Sequence, residues 1–349
     1  MSNHERRKKQ RIRRLLESRR GRGFAVAGLV GVTGVGALRT QHEPVASPTY
    51  HDPVKAAVAK TMVQRLAGRG WDLPNMEHER VDFWVDRFTT DPDMKARLTG
   101  FLSRAGTYMP MISIKLAERD MPHDLIFLAM IESGFDPEAY SGADASGLWQ
   151  FIAETGRRYG LAVDDEVDER NHPEKATDAA LDYLTELHER FDSWYLAAAA
   201  YNTGENRVAR IMREETGSER AGSEEAYYEI WARLPRETRD YVPLMIAAAR
   251  IAKEPAKYGF EHVIPLEPIE YDEIEASART SLIDVADAAG VGIDEIQTLN
   301  PFLRGDHTPS RDGYLIRVPR GAGTRVAAAL AADGPSPLGS TGAKTQLAE

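Results

Sequence analysis

The sequence of 349 residues contains no cysteine. This absence excludes disulfide bonds, cysteine-ligated zinc, a thiol nucleophile and a lipid-modified N-terminal cysteine. It does not argue against export, because a chain of this length can bury enough apolar surface to be stable without covalent cross-links. Long apolar runs are also lacking beyond residue 40. The chain is long for one compact domain, so we expect two folded units plus flanking segments.

Charge is unevenly distributed along the chain. Residues 1–41 hold eleven Arg or Lys and two Glu, a net charge of +9. Since the whole chain carries −10, the remaining residues carry −19. A body this acidic repels nucleic acid and anionic lipid, so we expect no nucleic-acid partner.

Residues 24–38 (FAVAGLVGVTGVGAL) are uncharged and follow this basic segment. As a helix they would span about 22 Å, less than the roughly 30 Å hydrocarbon core of a bilayer. Such a pattern is typical of a secretory signal, although it would equally suit a retained inner-membrane anchor. Twin-arginine export at Ser18-Arg19-Arg20 and a buried Gly/Ala helix are weaker alternatives. We therefore expect residues 1–39 to direct the protein to the periplasm or cell envelope of a bacterium.

Composition and periodicity divide the rest of the chain. Residues 40–52 are rich in Pro and polar residues and are predicted to be a linker. Apolar residues at helical spacing predict a helical domain over 53–260, with its core at 118–215. Residues 261–320 change to an extended stretch, two short helical segments and an alternating strand, which predicts a small α+β module. Residues 321–349 have little apolar bulk and are predicted to be a disordered tail.

Glu132 is the first candidate for chemistry. It ends a fully apolar run and is followed directly by Ser133-Gly134, so its carboxyl should lie at the end of a buried helix. Burial raises the pKa of a carboxyl, which suits a general acid near neutral pH. Asp136 follows within a Phe-Asp-Pro turn. We interpret Asp136 as a turn or helix cap rather than a second catalytic acid.

A loop rich in Gly, Ser and Asp follows and leads into Leu148-Trp149-Gln150-Phe151. One amide among large apolar side chains is what a sugar site needs: an aromatic surface for the ring face and a fixed donor and acceptor for hydroxyl or N-acetyl groups. Further along, Asp168-Glu169-Arg170 is interpreted as an ion-paired structural cluster, because Arg with carboxylates commonly fixes loops.

A metal centre is not predicted. His4, His172 and His188 are isolated, and no pair of histidines has the spacing of a metalloprotease site. We expect neither a metal nor another cofactor.

Several of these motifs together resemble the family 1 lytic transglycosylases. Glu-Ser, a Ser nine residues after the Glu, Gly-Leu-Trp-Gln-Phe and a later Ala-Tyr-Asn-Thr-Gly carry the resemblance. The membrane-bound lytic transglycosylase D subgroup is the most similar, and its further marks include residues 168–170 and 234–243. The resemblance covers roughly residues 77–320. It implies a mainly α fold, with a goose-type-lysozyme-like helical catalytic domain.

The resemblance also implies residue roles. Glu132 would first protonate the glycosidic oxygen of peptidoglycan and then accept the proton of the muramic acid C6 hydroxyl, giving a 1,6-anhydro product without water. Ser141 and Gln150 match positions that contact the N-acetyl group and the sugar. Tyr201, with Asn202 beside it, matches the tyrosine near the catalytic Glu, and Ile152 stands where related enzymes often place a methionine.

Residues 268–319 resemble a LysM domain, a peptidoglycan-binding fold with βααβ order. The usual Gly-Asp-Thr-Leu start, part of the first glycan-contacting loop, is replaced by Ala278-Arg279-Thr280-Ser281-Leu282. Two alternatives therefore stay open: the module binds glycan, or it keeps the fold as a packing module without affinity for glycan. The expected partners are peptidoglycan glycan strands. An inner-membrane anchor through residues 24–38 and a cell-wall enzyme complex are compatible with this assignment.

Three other functions stay open on the sequence. A lysozyme-like hydrolase on the same fold would use water and leave a reducing end. A non-catalytic peptidoglycan-binding protein would not need the carboxyl at Glu132. A metal enzyme would need ligand pairs that the histidine spacing does not provide.

Overall fold

The computed structural model describes residues 70–333. The predicted signal or anchor, the linker and the first part of the helical domain lie outside the described residues, as do residues 334–349. Within the described part of the chain, no helix is both long and apolar enough to cross a bilayer. The described chain divides into two compact units, one of residues 70–163 and 168–269 and the other of residues 164–167 and 270–333.

The first unit is mainly helical. Its helices are α1 (Glu79–Thr90), α2 (Pro92–Glu118), α3 (Ile126–Ser133), α4 (Ala153–Arg158), α5 (Pro173–Phe191), α6 (Trp194–Thr203), α7 (Glu205–Thr216), α8 (Ala226–Ile230) and α9 (Arg236–Lys253). Two short strands, β1 (Ala145–Ser146) and β2 (Phe151–Ile152), form an antiparallel hairpin between α3 and α4.

Helix α3 forms the centre of this unit. Every residue of α3 is buried, as its uninterrupted apolar sequence predicts. Helix α9 packs against α1, α3 and α6, while α5 packs against α2 and α6. The small side chains Ala197 to Ala200 of α6 are fully buried, and they allow the neighbouring helices to approach closely. A helix enclosed in this way can hold a carboxyl out of solvent.

The second unit contains a two-stranded antiparallel sheet and three helices. Its elements are β3 (Tyr271–Ala276), α10 (Leu282–Ala289), α11 (Ile293–Leu299), β4 (Tyr314–Pro319) and α12 (Gly323–Asp333). The strands pair with Ile274 opposite Ile316. The predicted strand, helix, helix, strand order is confirmed, and with it the prediction of a mainly α protein with a small α+β module.

Two boundaries of the second unit differ from the sequence prediction. The unit begins at residue 270 rather than 261, because the extended residues before it run along α2, where the Leu266 N–H donates to the Ser103 carbonyl at 2.8 Å. Helix α12 occupies the first part of the predicted disordered tail. The prediction is wrong there because Val326 is fully buried and holds the helix to the unit. The alanine-rich composition of this segment gave no indication of this one buried apolar side chain.

Candidate active site

The end of α3 holds Glu132 in a fixed position. Gly134 terminates the helix in the left-handed region, with φ +64°, and its N–H donates to the Met130 carbonyl. A Cβ at Gly134 would lie 2.0 Å from the Phe101 ring, so the position requires glycine. The Arg104 Nε–H donates to the Gly134 carbonyl at 2.8 Å. The turn after Glu132 is therefore fixed against α2.

Glu132 is buried, with only 4% of its surface exposed. The Tyr241 hydroxyl, from α9, donates to Glu132 Oε1 at 2.5 Å. Burial raises the pKa of Glu132 from its usual 4.5 to about 8; the Tyr241 hydrogen bond opposes this increase, and the negative charge of Glu237 adds to it. Glu132 is therefore mostly protonated at neutral pH, the state that a general acid needs.

Glu132 differs from the other buried acids of this unit. Four of those carboxyls each have a cationic partner: Asp124 with Lys253 at 2.7 Å, Asp168 with Arg170 at 2.7 Å, Glu169 with Lys175 at 2.6 Å and Asp240 with Arg80 at 2.6 Å. Among residues 70–333, no cation forms an ion pair with Glu132, whose hydrogen-bond partner is a neutral phenol. An unpaired buried carboxyl is costly to ionise, so it keeps its proton.

Gln150 is held in a strained backbone conformation beside this helix end. Its φ of +48° lies in the left-handed region, which a side chain with a Cβ rarely adopts. Its Nε2 donates to the carbonyls of Ala139 and Gly147 at 3.0 and 2.9 Å. Its Oε1 is buried and, within the described part of the chain, accepts no hydrogen bond. A buried oxygen without a partner is uncommon in folded proteins, and this one is a candidate acceptor in the site.

Tyr201 lies close enough to Glu132 for their charges to interact. Burial, and then the charge of Glu132, raises the pKa of Tyr201 well above its usual 10. The Tyr201 hydroxyl donates to the Trp149 carbonyl at 2.7 Å, which connects α6 to the residue before Gln150. Glu132, Tyr201 and Tyr241 thus form one cluster, in which Tyr201 is half-buried and the other two are buried. The Ser133 hydroxyl joins α3 to the same loop by donating to the Leu148 carbonyl at 2.9 Å.

Trp149 does not provide the aromatic surface that the sequence suggested. It is fully buried, and its indole N–H donates to the Thr177 hydroxyl at 3.0 Å. The expectation is wrong for this residue, because the indole fills the core beneath the loop. Phe151 is also buried.

The remaining predicted site residues have defined structural roles. Ser141 is buried, and its hydroxyl oxygen accepts from the N–H groups of Ala143 and Ala145. Ile152 is half-buried on β2, opposite Ala145. Asn202 is buried next to Tyr201, and its Oδ1 accepts from the Thr238 hydroxyl at 2.8 Å. Contact of these three with a sugar stays a prediction.

Asp136 forms the turn that its sequence context predicted. Its Oδ1 accepts from the Glu138 N–H at 2.9 Å, and its own N–H donates to the Ser133 hydroxyl oxygen. Asp136 is half-buried and its carboxyl bonds the loop backbone, which confirms the interpretation as a turn residue.

The ion-paired cluster around Arg170 is also confirmed. Arg170 forms a bidentate pair with Asp168, through Nε at 2.8 Å and Nη2 at 2.7 Å. Its Nη1 donates to the carbonyls of Asp144 and Phe151 at 2.6 and 3.0 Å. Arg170 therefore connects the residue before β1 to the first residue of β2 and fixes the loop between them.

Sequence reasoning missed two residues of the site, Tyr241 and Glu237. Both lie in the segment 234–243 (LPRETRDYVP), which carries part of the family resemblance but no assigned role. They are more than 100 positions from Glu132, at a separation of 109 for Tyr241, so no local pattern connects them. The one indication in the sequence was that the segment 234–243 carries part of the family resemblance.

Within residues 70–333, no group of three His, Asp or Glu side chains is arranged to hold a metal ion. The raised pKa of Glu132, with the hydroxyl of Tyr241 bonded to it, is suited to proton transfer by a neutral carboxyl.

Comparisons with known proteins match both units. The transglycosylase SLT domain matches residues 109–222, and the LysM-like domain of lytic transglycosylase MltD matches residues 270–334. The chain is 35% identical over 228 residues to the membrane-bound lytic murein transglycosylase D of Escherichia coli strain K12, covering 65% of this chain and 49% of that protein.

Two more relatives match shorter stretches. The peptidoglycan transglycosylase gp16 of Escherichia phage T7 is 42% identical over 89 residues, which cover 25% of this chain and 7% of that protein. The membrane-bound lytic murein transglycosylase F of Alcanivorax borkumensis is 29% identical over 133 residues, covering 35% of this chain and 26% of that protein. The chain spans about half the length of the Escherichia coli relative.

Proposed function

We propose that this chain is a peptidoglycan lytic transglycosylase. It carries a transglycosylase SLT domain followed by an MltD-type LysM-like domain, and these matches confirm the resemblance predicted from the sequence. It would cleave the β-1,4 bond between N-acetylmuramic acid and N-acetylglucosamine. Three of the relatives that it resembles are lytic murein or peptidoglycan transglycosylases by name.

One observation carries this proposal: Glu132 is a buried carboxyl whose pKa is raised to about 8 and which has no cationic partner among the described residues. At neutral pH it can donate a proton, and after donation its carboxylate is strongly basic because burial disfavours its charge. A single residue can therefore serve as acid and then as base.

The reaction then needs no second catalytic carboxyl. Glu132 gives its proton to the glycosidic oxygen as the bond from that oxygen to the muramic acid C1 breaks. The C6 hydroxyl oxygen of the same sugar bonds to C1, and its proton goes to Glu132. The products are a 1,6-anhydromuramic acid end and a free hydroxyl on the leaving sugar, and Glu132 is protonated again.

The neighbouring groups are suited to supporting these steps. The Tyr241 hydroxyl orients the carboxyl through Oε1 and stabilises its charged form when the proton has left. The unpartnered Gln150 Oε1 would accept from the N–H of an N-acetyl group. Ser141, Ile152, Tyr201 and Asn202 remain proposed substrate-binding residues, and Tyr201 would help to hold the transition state.

A lysozyme-like hydrolysis on the same scaffold is the second candidate. Glu237 favours it, because this half-buried carboxylate is close enough to influence the pKa of Glu132, and glycoside hydrolases commonly use two carboxyl groups. In that reaction Glu237 would activate a water molecule.

Digestion of purified peptidoglycan sacculi tests the proposal. We expect the wild-type protein to release muropeptides with 1,6-anhydro ends, each lighter by one water than the hydrolytic products seen by mass spectrometry. Glu132→Gln should lower the rate by at least about 10³-fold, since the acid and the base are lost together. Asp136→Asn is the matched control and should retain activity.

Each other result identifies a different function. Products one water heavier would support hydrolysis and overturn the transglycosylase assignment. Equal release by the wild type and by Glu132→Gln, with sacculi still bound, would support a non-catalytic wall-binding protein.

The location and partners follow from the same assignment. The names of the relatives describe membrane-bound murein enzymes, so we propose the bacterial envelope for this chain. Anchoring through residues 24–38 and membership of a cell-wall complex remain proposals, as does glycan binding by the LysM-like module.

A further inference from the structure

Tyr140 is an exposed aromatic residue on the loop that carries the site. With 62% of its surface exposed, it is more exposed than Phe83, at 41%. Its hydroxyl donates to the Asp144 carboxylate at 2.7 Å. A ring that is tethered at its hydroxyl and open to solvent over most of its surface has a defined orientation, which an untethered surface ring lacks.

The loop that carries Tyr140 is itself rigidly held. The Asp144 carbonyl accepts from Arg170 Nη1 at 2.6 Å. The Ala139 carbonyl, next to Tyr140, accepts from both Gln150 Nε2 at 3.0 Å and the Gly147 N–H at 2.9 Å. The ring is thus oriented before any ligand arrives, and pre-organisation of this kind reduces the entropic cost of binding.

Tyr140 and Gln150 belong to the same small loop. The Gln150 side-chain amide donates to the carbonyl of Ala139, the residue directly before Tyr140. The exposed ring is therefore next in sequence to the residue that fixes Gln150, the predicted N-acetyl contact. Gly142, two residues after Tyr140, has open space around its missing Cβ, so no other part of the described chain covers the loop at that point. Polar and aromatic groups that converge in this way are typical of sugar sites.

We propose that Tyr140 is a stacking platform for an additional N-acetylhexosamine ring of the glycan strand, outside the two sugars that flank the scissile bond. The apolar C–H face of the sugar would lie on the phenol ring. This inference rests on the proposed function, since the ligand is the same β-1,4-linked glycan. It makes Tyr140 a determinant of chain-length preference and not a catalytic residue.

Binding of chito-oligosaccharides to the full-length Glu132→Gln protein tests the platform without turnover. We expect affinity to rise along the series from chitobiose to chitohexaose. Adding Tyr140→Ala should weaken binding of the longest oligomers by about tenfold, the size of a well-oriented ring contact. The shortest oligomers should bind equally well with and without the substitution. In the active protein, Tyr140→Ala should raise KM for glycan strands and leave kcat unchanged.

Two controls separate stacking from other effects. Tyr140→Phe keeps the ring and removes the Asp144 hydrogen bond, so it should lose only about two- to threefold in affinity for the longest oligomers. Phe83→Ala removes an aromatic residue that is 41% exposed on α1 and should change no affinity. Because Tyr140 is so exposed, circular dichroism melting curves should be the same for the two Tyr140 variants and the wild type.

The outcomes distinguish failure of the platform from failure of the function. Equal affinities of Tyr140→Ala and Phe83→Ala for every oligomer would overturn the platform, even if anhydro products are released. Absence of any chito-oligosaccharide binding would overturn it as well. Length-dependent binding that requires Tyr140, in a protein that releases no sugar from sacculi, would instead keep the platform and reject the enzyme.

Discussion

The Glu132 pocket and the Arg170 cluster show two uses of buried carboxyls in one helical unit. Asp168 is as deeply buried as Glu132, at 4% exposure for each, but it faces a guanidinium that binds it bidentately. Among residues 70–333, Glu132 has no ion pair, and its hydrogen-bond partner is the Tyr241 hydroxyl. Burial is the same in both places, so the two sites differ in the partner of the carboxyl: Asp168 is ion-paired within a structural cluster, whereas Glu132 has a phenol as its partner and burial raises its pKa.

The largest expected effect comes from removing the cation. Arg170→Met would leave Asp168 buried without its charge partner and would free the carbonyls of Asp144 and Phe151. We expect the free energy of unfolding to fall by about 3–5 kcal/mol, measured by urea denaturation. The double variant with Asp168→Leu should recover part of this loss. A single variant as stable as the wild type would show that the pair is not a structural requirement.

A smaller effect of opposite sign is expected at Glu132. Its pKa is raised from 4.5 to about 8 in the folded protein. Between these two pH values Glu132 is ionised in the unfolded chain and still protonated in the folded protein, so the stability of the wild type falls as pH rises. Glu132→Gln has no such cost. It should match the wild type in acid and exceed it by on the order of a few kcal/mol above pH 8.

Melting temperatures measured across this pH range provide the test. A constant difference between the two proteins from acid to alkali would contradict the raised pKa. The ionisation of Glu132 should also appear in the pH–rate profile. The value of kcat/KM should fall as pH rises through about 8, where the acid loses its proton.

Tyr241→Phe should alter the pocket without adding a charge. The hydroxyl lowers the pKa of Glu132, so its removal should shift the alkaline limb of the pH–rate profile to higher pH. The rate should fall by about 10- to 100-fold, since the carboxylate loses a charge-assisted hydrogen bond. Tyr201→Phe is the matched control, because that hydroxyl donates to the Trp149 carbonyl. The same shift in both variants would exclude a specific role for Tyr241.

The smallest effect is expected at Asp136, four positions after Glu132. An amide oxygen can accept the Glu138 N–H as the carboxylate does, so Asp136→Asn should change stability by no more than about 0.5 kcal/mol. Activity on sacculi should persist. A loss of activity comparable to that of Glu132→Gln would make Asp136 a second catalytic acid.

The local parts of this comparison could be predicted from the sequence. An apolar run that ends in Glu-Ser-Gly indicates a buried helix with a carboxyl at its end, and α3 has both features. The Asp-Glu-Arg motif predicts an ion-paired cluster because its partners are two residues apart. Helical spacing likewise predicted the helical unit and the order of elements in the smaller one.

The long-range parts could not be predicted in this way. Tyr241 reaches Glu132 only because α9 packs against α3, and nothing in a local pattern specifies that packing. Likewise, that no cation of residues 70–333 pairs with Glu132 depends on how distant segments of the chain pack. Trp149 illustrates the opposite difficulty: an aromatic residue in a sugar-binding motif is buried, because its indole N–H finds Thr177 on α5, while the exposed ring belongs to Tyr140.

Helix α12 has a consequence for dissecting the molecule. Arg325 donates to the carbonyls of Ala288 and Ala289 at the end of α10, and Asp272 on β3 accepts from the N–H groups of Gly321 and Gly323. A shortened protein that stops at residue 320, where the alternating strand ends, would uncover these carbonyls and the space filled by Val326. Poor solubility of such a fragment would then reflect a missing helix and would say nothing about its affinity for glycan.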